Sequence, residues 1–160
     1  MGISPYVAGL REKVGNDLLF LPAVTAIIVD DAGRVLLHRA KDDGRWYIIG
    51  GAMDPGEEPA DALVREVREE VGIDVEPQRI TGVYASPLVT YPNGHQVRYV
   101  GITFLCRPVG DAEPRVSDDE SIEIGWFPPD ALPELRPDQR VRIEHALNGD
   151  PSHARFFRKQ

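Results

Sequence analysis

Residues 50–73 read GGAMDPGEEPADALVREVREEVGI, and most of the chain's excess negative charge lies in them. From Gly51 to Ile73 there are seven acidic residues against two arginines, a net charge of −5 out of −8 for the whole chain. Apolar residues recur there at three- and four-residue spacing between a proline and a glycine. The pattern predicts a helix over Pro59–Val71 that ends at Gly72. The concentration of acid in this helix needs a physical reason.

Three glutamates of this helix are predicted to lie close together. At about 100° per residue, Glu66, Glu69 and Glu70 fall within an arc of about 100° on adjacent turns. Like charges at these spacings repel, and the last turns of a helix favour cations. A bound divalent cation would remove both objections; Mg²⁺ is the ion we expect, and Mn²⁺ suits the same ligands. The competing interpretation is a solvated acidic face, because Glu is a good helix former.

The loop before the helix favours the cation interpretation. Gly50-Gly51 allows the backbone to approach a ligand closely, and Pro55-Gly56 specifies a turn. Glu57 precedes the helix and could reach back to Arg65 in a charge-assisted pair that ties the loop to the helix.

The bulk properties suit one domain of 160 residues, with 42% hydrophobic and 28% charged residues. The acidic balance argues against binding to nucleic acid, because no basic patch dominates. The apolar run LLFLP is too short for a membrane span or the core of a signal peptide. Cys106 is the only cysteine, which excludes a disulfide within the chain and suggests a buried, inert thiol. We therefore expect a cytoplasmic protein.

The remaining segments alternate between strand and helix patterns. The predicted elements are a helix at 4–15, a hairpin turning at 31–33, a strand at 45–49 running into a glycine loop, two strands on either side of Asn93-Gly94, a strand at 122–127 and a helix at 138–149. Residues 151–160 are predicted to be a surface tail. Strands outnumber and interleave with helices, so we expect an α/β or α+β layered domain around a mixed sheet.

The spacing of the residues from Gly51 to Ile73, called the box from here on, resembles the 23-residue signature of the Nudix hydrolases. The residues that carry the resemblance are Gly51, Glu57, Arg65-Glu66-Val67, Glu69-Glu70 and Gly72-Ile73. The similarity of the surrounding organisation extends over roughly residues 22–147. One departure is Ile49, which stands where many members have proline before the two glycines.

This resemblance implies an α/β/α sandwich with a mixed β-sheet, in which the box forms a loop–helix–loop. It implies one domain over residues 1–160, with an N-terminal helical extension at 1–21 and a tail at 150–160. The implied reaction is hydrolysis of a nucleoside diphosphate linked to another moiety. The implied metal ligands, which also carry the catalysis, are Glu66, Glu69, Glu70 and the carbonyl of Gly51. Glu57 and Arg65 would form the structural pair.

A general base is expected from the later acidic loop SDDESIEIGWF. Glu120 is the preferred candidate because it precedes the predicted strand and lies in a loop that could close. An ordinary solvated loop acid is the alternative for Glu120. Glu123 is expected to be a surface residue of the strand.

The substrate is predicted from weaker signals. Pro87 stands near the position of a proline that is characteristic of ADP-ribose pyrophosphatases in this family, which favours ADP-ribose or a nucleotide sugar. Two alternatives stay open: a nucleoside triphosphate pyrophosphatase of the housecleaning type, and a non-catalytic module that binds a nucleotide for regulation. The resemblance also leaves a homodimer open, because dimers are common among the ADP-ribose members.

Four further residues are candidates for contacts with substrate. Trp46 and Tyr84 could stack on a base or ribose, although packing explains each of them as well. Arg39 and Arg98 could contact phosphates, although surface solubility explains them equally. The four histidines are scattered without ligand spacing, and none is assigned to the site.

Overall fold

The computed structural model describes residues 4–158. Its helices are α1 Pro5–Val14, α2 Pro59–Val71 and α3 Pro137–Asn148. Its strands are β1 Leu19–Ile28, β2 Val35–Ala40, β3 Trp46–Tyr47, β4 Ile49–Ala52, β5 Asp74–Ala85, β6 Val89–Thr90, β7 Gln96–Val109 and β8 Ser121–Phe127. The predicted α2 is confirmed at both ends: Pro59 begins it, and Gly72 ends it in the left-handed conformation with φ 68°.

The strands form two sheets rather than one. The larger sheet has the order β4-β1-β7-β5, with β6 paired to β7. It is mixed, because β1 and β7 are parallel and its other pairs are antiparallel. The smaller sheet has the order β3-β2-β8 and is antiparallel.

Two apolar clusters lie on opposite sides of the larger sheet. The α2 core comprises Val24, Ala26, Ile28, Leu36, Ile49, Ala62, Leu63, Val67, Val71, Ile73, Val75, Phe104 and Cys106. The α3 core comprises Ile27, Val29, Val35, Leu37, Ile48, Leu135, Ile143 and Ala146. Neighbouring residues of β1 alternate between the two cores, as side chains of a strand must. The molecule is therefore layered helix, sheet, helix, which confirms the predicted α/β/α sandwich.

The predicted hairpin around residues 31–33 is wrong in its pairing. The turn exists, with the Gly33 amide donating to the Asp30 carbonyl at 3.0 Å. Beyond it, β1 and β2 are joined by one isolated bridge between Val29 and Val35, and they then enter different sheets. The adjoining parts of the two strands, residues 24–28 and 35–37, are buried on both faces, so their apolar runs carry no signal for the pairing partner.

The predicted strand at 45–49 is also divided. Trp46–Tyr47 pairs with β2, whereas Ile49–Ala52 pairs with β1. The chain therefore passes from the smaller sheet to the larger one at Ile48, and the two glycines lie within β4 rather than in a loop.

The predicted helix at 4–15 is confirmed as α1, whereas the boundaries of the N-terminal extension and of the tail stay predictions. Ser4 caps α1 by accepting a hydrogen bond from the Val7 amide. In the exposed tail, Arg155 forms a parallel bridge with Gly82 of the edge strand β5. Residues 159–160 of the tail and 1–3 of the extension lie outside the described residues. Within residues 4–158, none of the helices has the length and hydropathy needed to cross a membrane.

Candidate active site

Helix α2 buries two of its glutamates beside its apolar residues. Leu63, Val67 and Val71 are fully buried, and on the helical wheel Glu66 and Glu70 lie next to this stripe. The exposed fraction is 0% for Glu66 and 7% for Glu70. Burying a carboxylate is costly unless it is paired. Burying these two glutamates therefore destabilises the fold, so folding alone does not account for their positions.

Glu66 is held against the glycine pair of β4. Its Oε1 accepts a hydrogen bond from Arg65 Nη1 at 2.8 Å, and its buried Oε2 lacks a hydrogen-bond partner. A Cβ atom at Gly51 would overlap this carboxylate, so only glycine leaves room for it. Burial raises the pKa of Glu66 from its usual 4.5 to about 7, and the bond and charge of Arg65 oppose that rise.

Glu70 lies one turn further along the helix, and its Oε2 is also buried without a hydrogen-bond partner. His38 Nε2 lies 4.0 Å from that oxygen. Burial raises the pKa of Glu70 well above its usual range, and the charges of Glu66 and Asp118 add to the rise. The backbone amide of Gly50 acts in the opposite direction.

Arg65 and Glu57 form a bidentate ion pair between the helix and the preceding loop. Arg65 Nε donates to Glu57 Oε1 at 2.6 Å, and Nη2 donates to Glu57 Oε2 at 2.9 Å. Glu57 Oε2 also accepts from the Asp54 amide at 2.8 Å, which closes the loop. This pair lowers the pKa of Glu57, with the hydrogen bond from Arg65 as the largest cause.

Glu69 differs from the other two glutamates. Its side chain is 45% exposed, and Arg65 Nη1 contacts its Oε2 at 3.4 Å. Its charge contributes to the raised pKa of Glu66, so Glu69 lies near the other carboxylates but is more exposed than they are. The wheel places Glu69 at the far edge of the acidic arc, away from the apolar stripe, and there it meets solvent and Arg65.

The described residues supply some, but not all, of the ligands that a hard divalent cation needs. Among residues 4–158, no three His, Cys, Asp or Glu side chains lie close enough together to form a complete metal cluster. Two buried carboxylates nevertheless each keep an oxygen without a hydrogen bond. Mg²⁺ commonly takes only one or two carboxylates and completes its shell with waters and substrate phosphates. Glu66 and Glu70 fit that ion, and the predicted roles of Glu69 and the Gly51 carbonyl stay predictions.

The loop before β8 approaches the same carboxylates. The Ser117 amide donates to the Glu70 carbonyl at 3.2 Å. Asp118 Oδ1 accepts from the amides of Glu120 and Ser121 at 3.1 and 2.9 Å. Glu120 itself is exposed, and its charge contributes to the raised pKa of Glu70. Its position is compatible with the predicted base, and that role stays a prediction.

Sequence reasoning missed two groups near Glu70. His38 was not assigned to the site, yet it is the imidazole nearest to Glu70, and its pKa is lowered by burial. Asp118 is not among the residues predicted from the sequence, although its charge acts on both Glu70 and His38. Both residues come from elements distant in sequence, so neither has a spacing signal relative to the box.

Arg39 and Trp46 lie on the other face of the smaller sheet. They are register partners between β2 and β3, and strand geometry turns Arg39 away from the side of His38. Arg39 donates to the Gly44 carbonyl at 2.7 Å and pairs with the exposed Glu123 at 3.3 Å. Trp46 packs edge-on against Phe127 with centroids 4.8 Å apart. Both residues therefore contact their own sheet, and they lie on the face away from Glu66 and Glu70.

Tyr84 is likewise on the side of α3, opposite the α2 core. It is 7% exposed, and its hydroxyl lies 2.8 Å from His145 Nδ1. The Arg142 guanidinium lies 5.1 Å from the ring centroid. Tyr84 is therefore engaged in packing and is not free to stack on a ligand beside Glu66.

The last two substrate candidates are accessible. Pro87 is exposed in the loop between β5 and β6, and Arg98 is exposed on β7 opposite Phe20 of β1. Their predicted contacts with substrate stay predictions.

The chain is similar to known proteins over most of its length. The family model of the NUDIX domain matches residues 19–146. A MutT-like protein of Streptomyces ambofaciens is 34% identical over 134 residues, covering 83% of this chain and 80% of that protein. Human 8-oxo-dGDP phosphatase NUDT18 is 34% identical over 115 residues, 69% of this chain, and the match spans only 33% of that protein.

Solved structures agree with these matches. The MutT NUDIX hydrolase of Burkholderia pseudomallei superposes with a TM-score of 0.67 at 32% identity, covering 79% of this chain and 98% of that one. An ADP-ribose pyrophosphatase of Streptococcus suis gives 0.62 at 26% identity, covering 84% and 96%. With the signature residues of the box placed on β4, the following loop and α2, the chain belongs to the Nudix family of pyrophosphohydrolases.

Proposed function

We propose that this enzyme uses Mg²⁺ to hydrolyse the pyrophosphate bond of a nucleoside diphosphate linked to another moiety, with ADP-ribose or a nucleotide sugar as substrate. The observation that carries the proposal is the pair of buried carboxylates, Glu66 and Glu70, each with an oxygen that lacks a hydrogen bond. Members of the Nudix family generally depend on divalent ions. When bound, the ion would neutralise the pyrophosphate and polarise its phosphoryl oxygens.

The chain's own residues have distinct roles in this proposal. Glu66 and Glu70 would hold the ion, and Glu69 would be a further ligand. Arg65 and Glu57 fix the loop that follows Gly51 of β4, whose carbonyl is a further proposed ligand. Glu120 takes a proton from the attacking water, from a loop tied to α2 through the Ser117 amide. Positioning and charge stabilisation account for most of the rate, as in other phosphoryl transfers.

Substrate choice is tested by product analysis. Purified enzyme with Mg²⁺ is given ADP-ribose, nucleotide sugars and nucleoside triphosphates, including oxidised ones. AMP with ribose 5-phosphate supports the proposed substrate. A nucleoside monophosphate with pyrophosphate supports the housecleaning alternative, which the similarity to a putative 8-oxo-dGTP diphosphatase of Bacillus subtilis favours. Tight binding without turnover would leave only the regulatory module.

The metal site is tested by replacing a carboxylate with its neutral isostere. We expect Glu70→Gln to lower kcat by at least about 100-fold, because charge stabilisation by the bound ion is lost. The matched control is Glu58→Gln, the same change at an exposed carboxylate of the box. An unchanged rate in Glu70→Gln would remove the site assignment. Cell fractionation and light scattering test the cytoplasmic location and the homodimer that belong to the same proposal.

A further inference from the structure

His38 connects the box helix to the acidic loop before β8. It lies on β2, and its Nδ1 is 2.9 Å from Ser121 Oγ. Its Nε2 is 4.0 Å from Glu70 Oε2. Ser121 in turn donates its amide to Asp118 Oδ1 at 2.9 Å. One imidazole thus stands between Glu70 and the loop that carries Asp118 and Glu120.

The two ring nitrogens have different partners, and these partners determine which nitrogen of a neutral imidazole carries the proton. A neutral ring carries one proton, on either nitrogen. If the Ser121 hydroxyl donates to Nδ1, the proton is on Nε2 and faces Glu70. An ionised carboxylate only accepts hydrogen bonds, so Glu70 favours this tautomer. At 4.0 Å the contact is electrostatic, because a hydrogen bond is shorter.

The oxygen that His38 faces is the one that lacks a hydrogen bond in Glu70. The side chain of His38 is 14% exposed, so the ring is fixed by packing and by Ser121 rather than by solvent. Groups placed behind a metal ligand orient it, and their loss typically costs about 10- to 100-fold in metal affinity.

We propose that His38, held by Ser121, is a positioning residue that fixes the orientation of the Glu70 carboxylate. The inference rests on the proposed function, because it takes Glu70 as a metal ligand. It assigns a role to a residue outside the box and to the hydroxyl of Ser121.

Two substitutions of His38 test the contributions of its two ring nitrogens separately. His38→Gln places an amide nitrogen near the position of Nε2, toward Glu70. His38→Asn places one near the position of Nδ1, toward Ser121. A residue needed only for packing or for holding Ser121 would be replaced at least as well by Asn as by Gln. A residue that positions Glu70 is rescued by Gln and not by Asn.

The readout is Mn²⁺ binding to the nucleotide-free enzyme, measured by calorimetry. The melting temperature of each variant is measured first, to show that the variant is folded at the temperature of the binding experiment. We expect His38→Asn to weaken Mn²⁺ binding by about tenfold or more, and His38→Gln to keep it near the wild-type value. Ser121→Ala, which removes the partner of Nδ1 without touching the ring, is expected to weaken binding to a lesser degree. The control is His153→Gln in the exposed tail, which should leave Mn²⁺ binding unchanged.

The outcomes separate this inference from the proposed function. Wild-type affinity in His38→Asn, or equal losses in both His38 variants, would overturn the positioning role even if the enzyme hydrolyses nucleotides normally. Weakened Mn²⁺ binding in His38→Asn with near wild-type binding in His38→Gln would support it even if none of the nucleotides in the panel is hydrolysed. A wild-type enzyme that binds no Mn²⁺ would overturn both, since Glu70 would then hold no ion.

Discussion

At the scale of single residues, the buried glutamates of α2 set the pH dependence of the metal-free protein. A carboxyl whose pKa is raised by folding holds its proton to higher pH in the folded state. For Glu66 this contribution to stability is present below about pH 4.5 and is lost as the pH rises through about 7. Glu70 shifts in the same direction. We therefore expect the melting temperature of the metal-free protein to fall between about pH 5 and pH 8.

A divalent ion should reverse this loss, because ions bind carboxylates in their ionised form. Mg²⁺ is expected to raise the melting temperature more at the upper end of that pH range than at the lower end. Glu66→Gln removes one of the titrating groups, so its metal-free melting curve should vary less with pH. A wild-type protein whose melting temperature is constant over this range would contradict the assignment of buried, ionisable carboxyls.

Gly51 provides a second test at a single residue. A Cβ atom there would overlap the Glu66 carboxylate, so Gly51→Ala must displace the proposed ligand. We expect kcat to fall at least about tenfold, because displacing a group by about 1 Å costs on that order or more. The control is Gly9→Ala, since a Cβ atom at Gly9 meets nothing within 4 Å. Equal activity of the two variants would show that Glu66 has no fixed role.

The residues of the box could be predicted because their spacing along one helix already contains their geometry. The helical wheel also places Glu69 away from the apolar stripe, but the sequence could not show that Arg65 contacts both Glu66 and Glu69. His38 and Asp118 were beyond reach for another reason. They reach Glu70 from a strand and a loop whose positions depend on the packing of two sheets.

At the scale of elements, the loop and helix of the box are joined by one arginine. Arg65 donates twice to Glu57, and also to Glu66 and to the Ala52 carbonyl at 3.3 Å. Lysine keeps the charge but lacks the planar fork that makes two parallel hydrogen bonds. Arg65→Lys is therefore expected to lower the free energy of unfolding by about 1–3 kcal/mol, as measured in urea.

Arg68 on the same helix is the matched control. It pairs with Asp74, but both side chains are more than half exposed, at 63% and 54%. Exposed pairs are worth about 0–1 kcal/mol, so Arg68→Lys should have little effect. If the two variants lost the same stability, Arg65 would be an ordinary surface residue and not the connection between loop and helix.

Helices were predicted more successfully than strand pairing, and the reason is local. The ends of α1, α2 and α3 are marked by prolines and glycines beside the helix itself. Strand partners are not marked in this way, because β1 pairs with β4 and β7, which are distant from it in the sequence. The turn signal at residues 31–33 predicts a hairpin, whereas β1 and β2 belong to separate sheets, and their apolar runs do not indicate their partners.

At the scale of the whole molecule, β1 contributes side chains to both the α2 core and the α3 core. Neither core can lose this strand without opening the other. The two tryptophans report on the two sides separately, because Trp126 packs against the α2 core and Trp46 against the α3 core. We therefore predict that the chain is one cooperative unit in which both tryptophans report the same unfolding transition.

Trp46→Phe and Trp126→Phe each leave one reporter, and each variant is unfolded in urea with fluorescence and circular dichroism recorded on the same samples. Within each variant, the fluorescence midpoint should coincide with the circular dichroism midpoint, even if the substitution itself lowers stability. This comparison inside one variant removes the cost of replacing a tryptophan. If the fluorescence of Trp46 changes before the circular dichroism of the same variant does, the α3 side opens independently. The chain would then contain two cooperative units, and the carboxylates of α2 would not depend on α3 for their support.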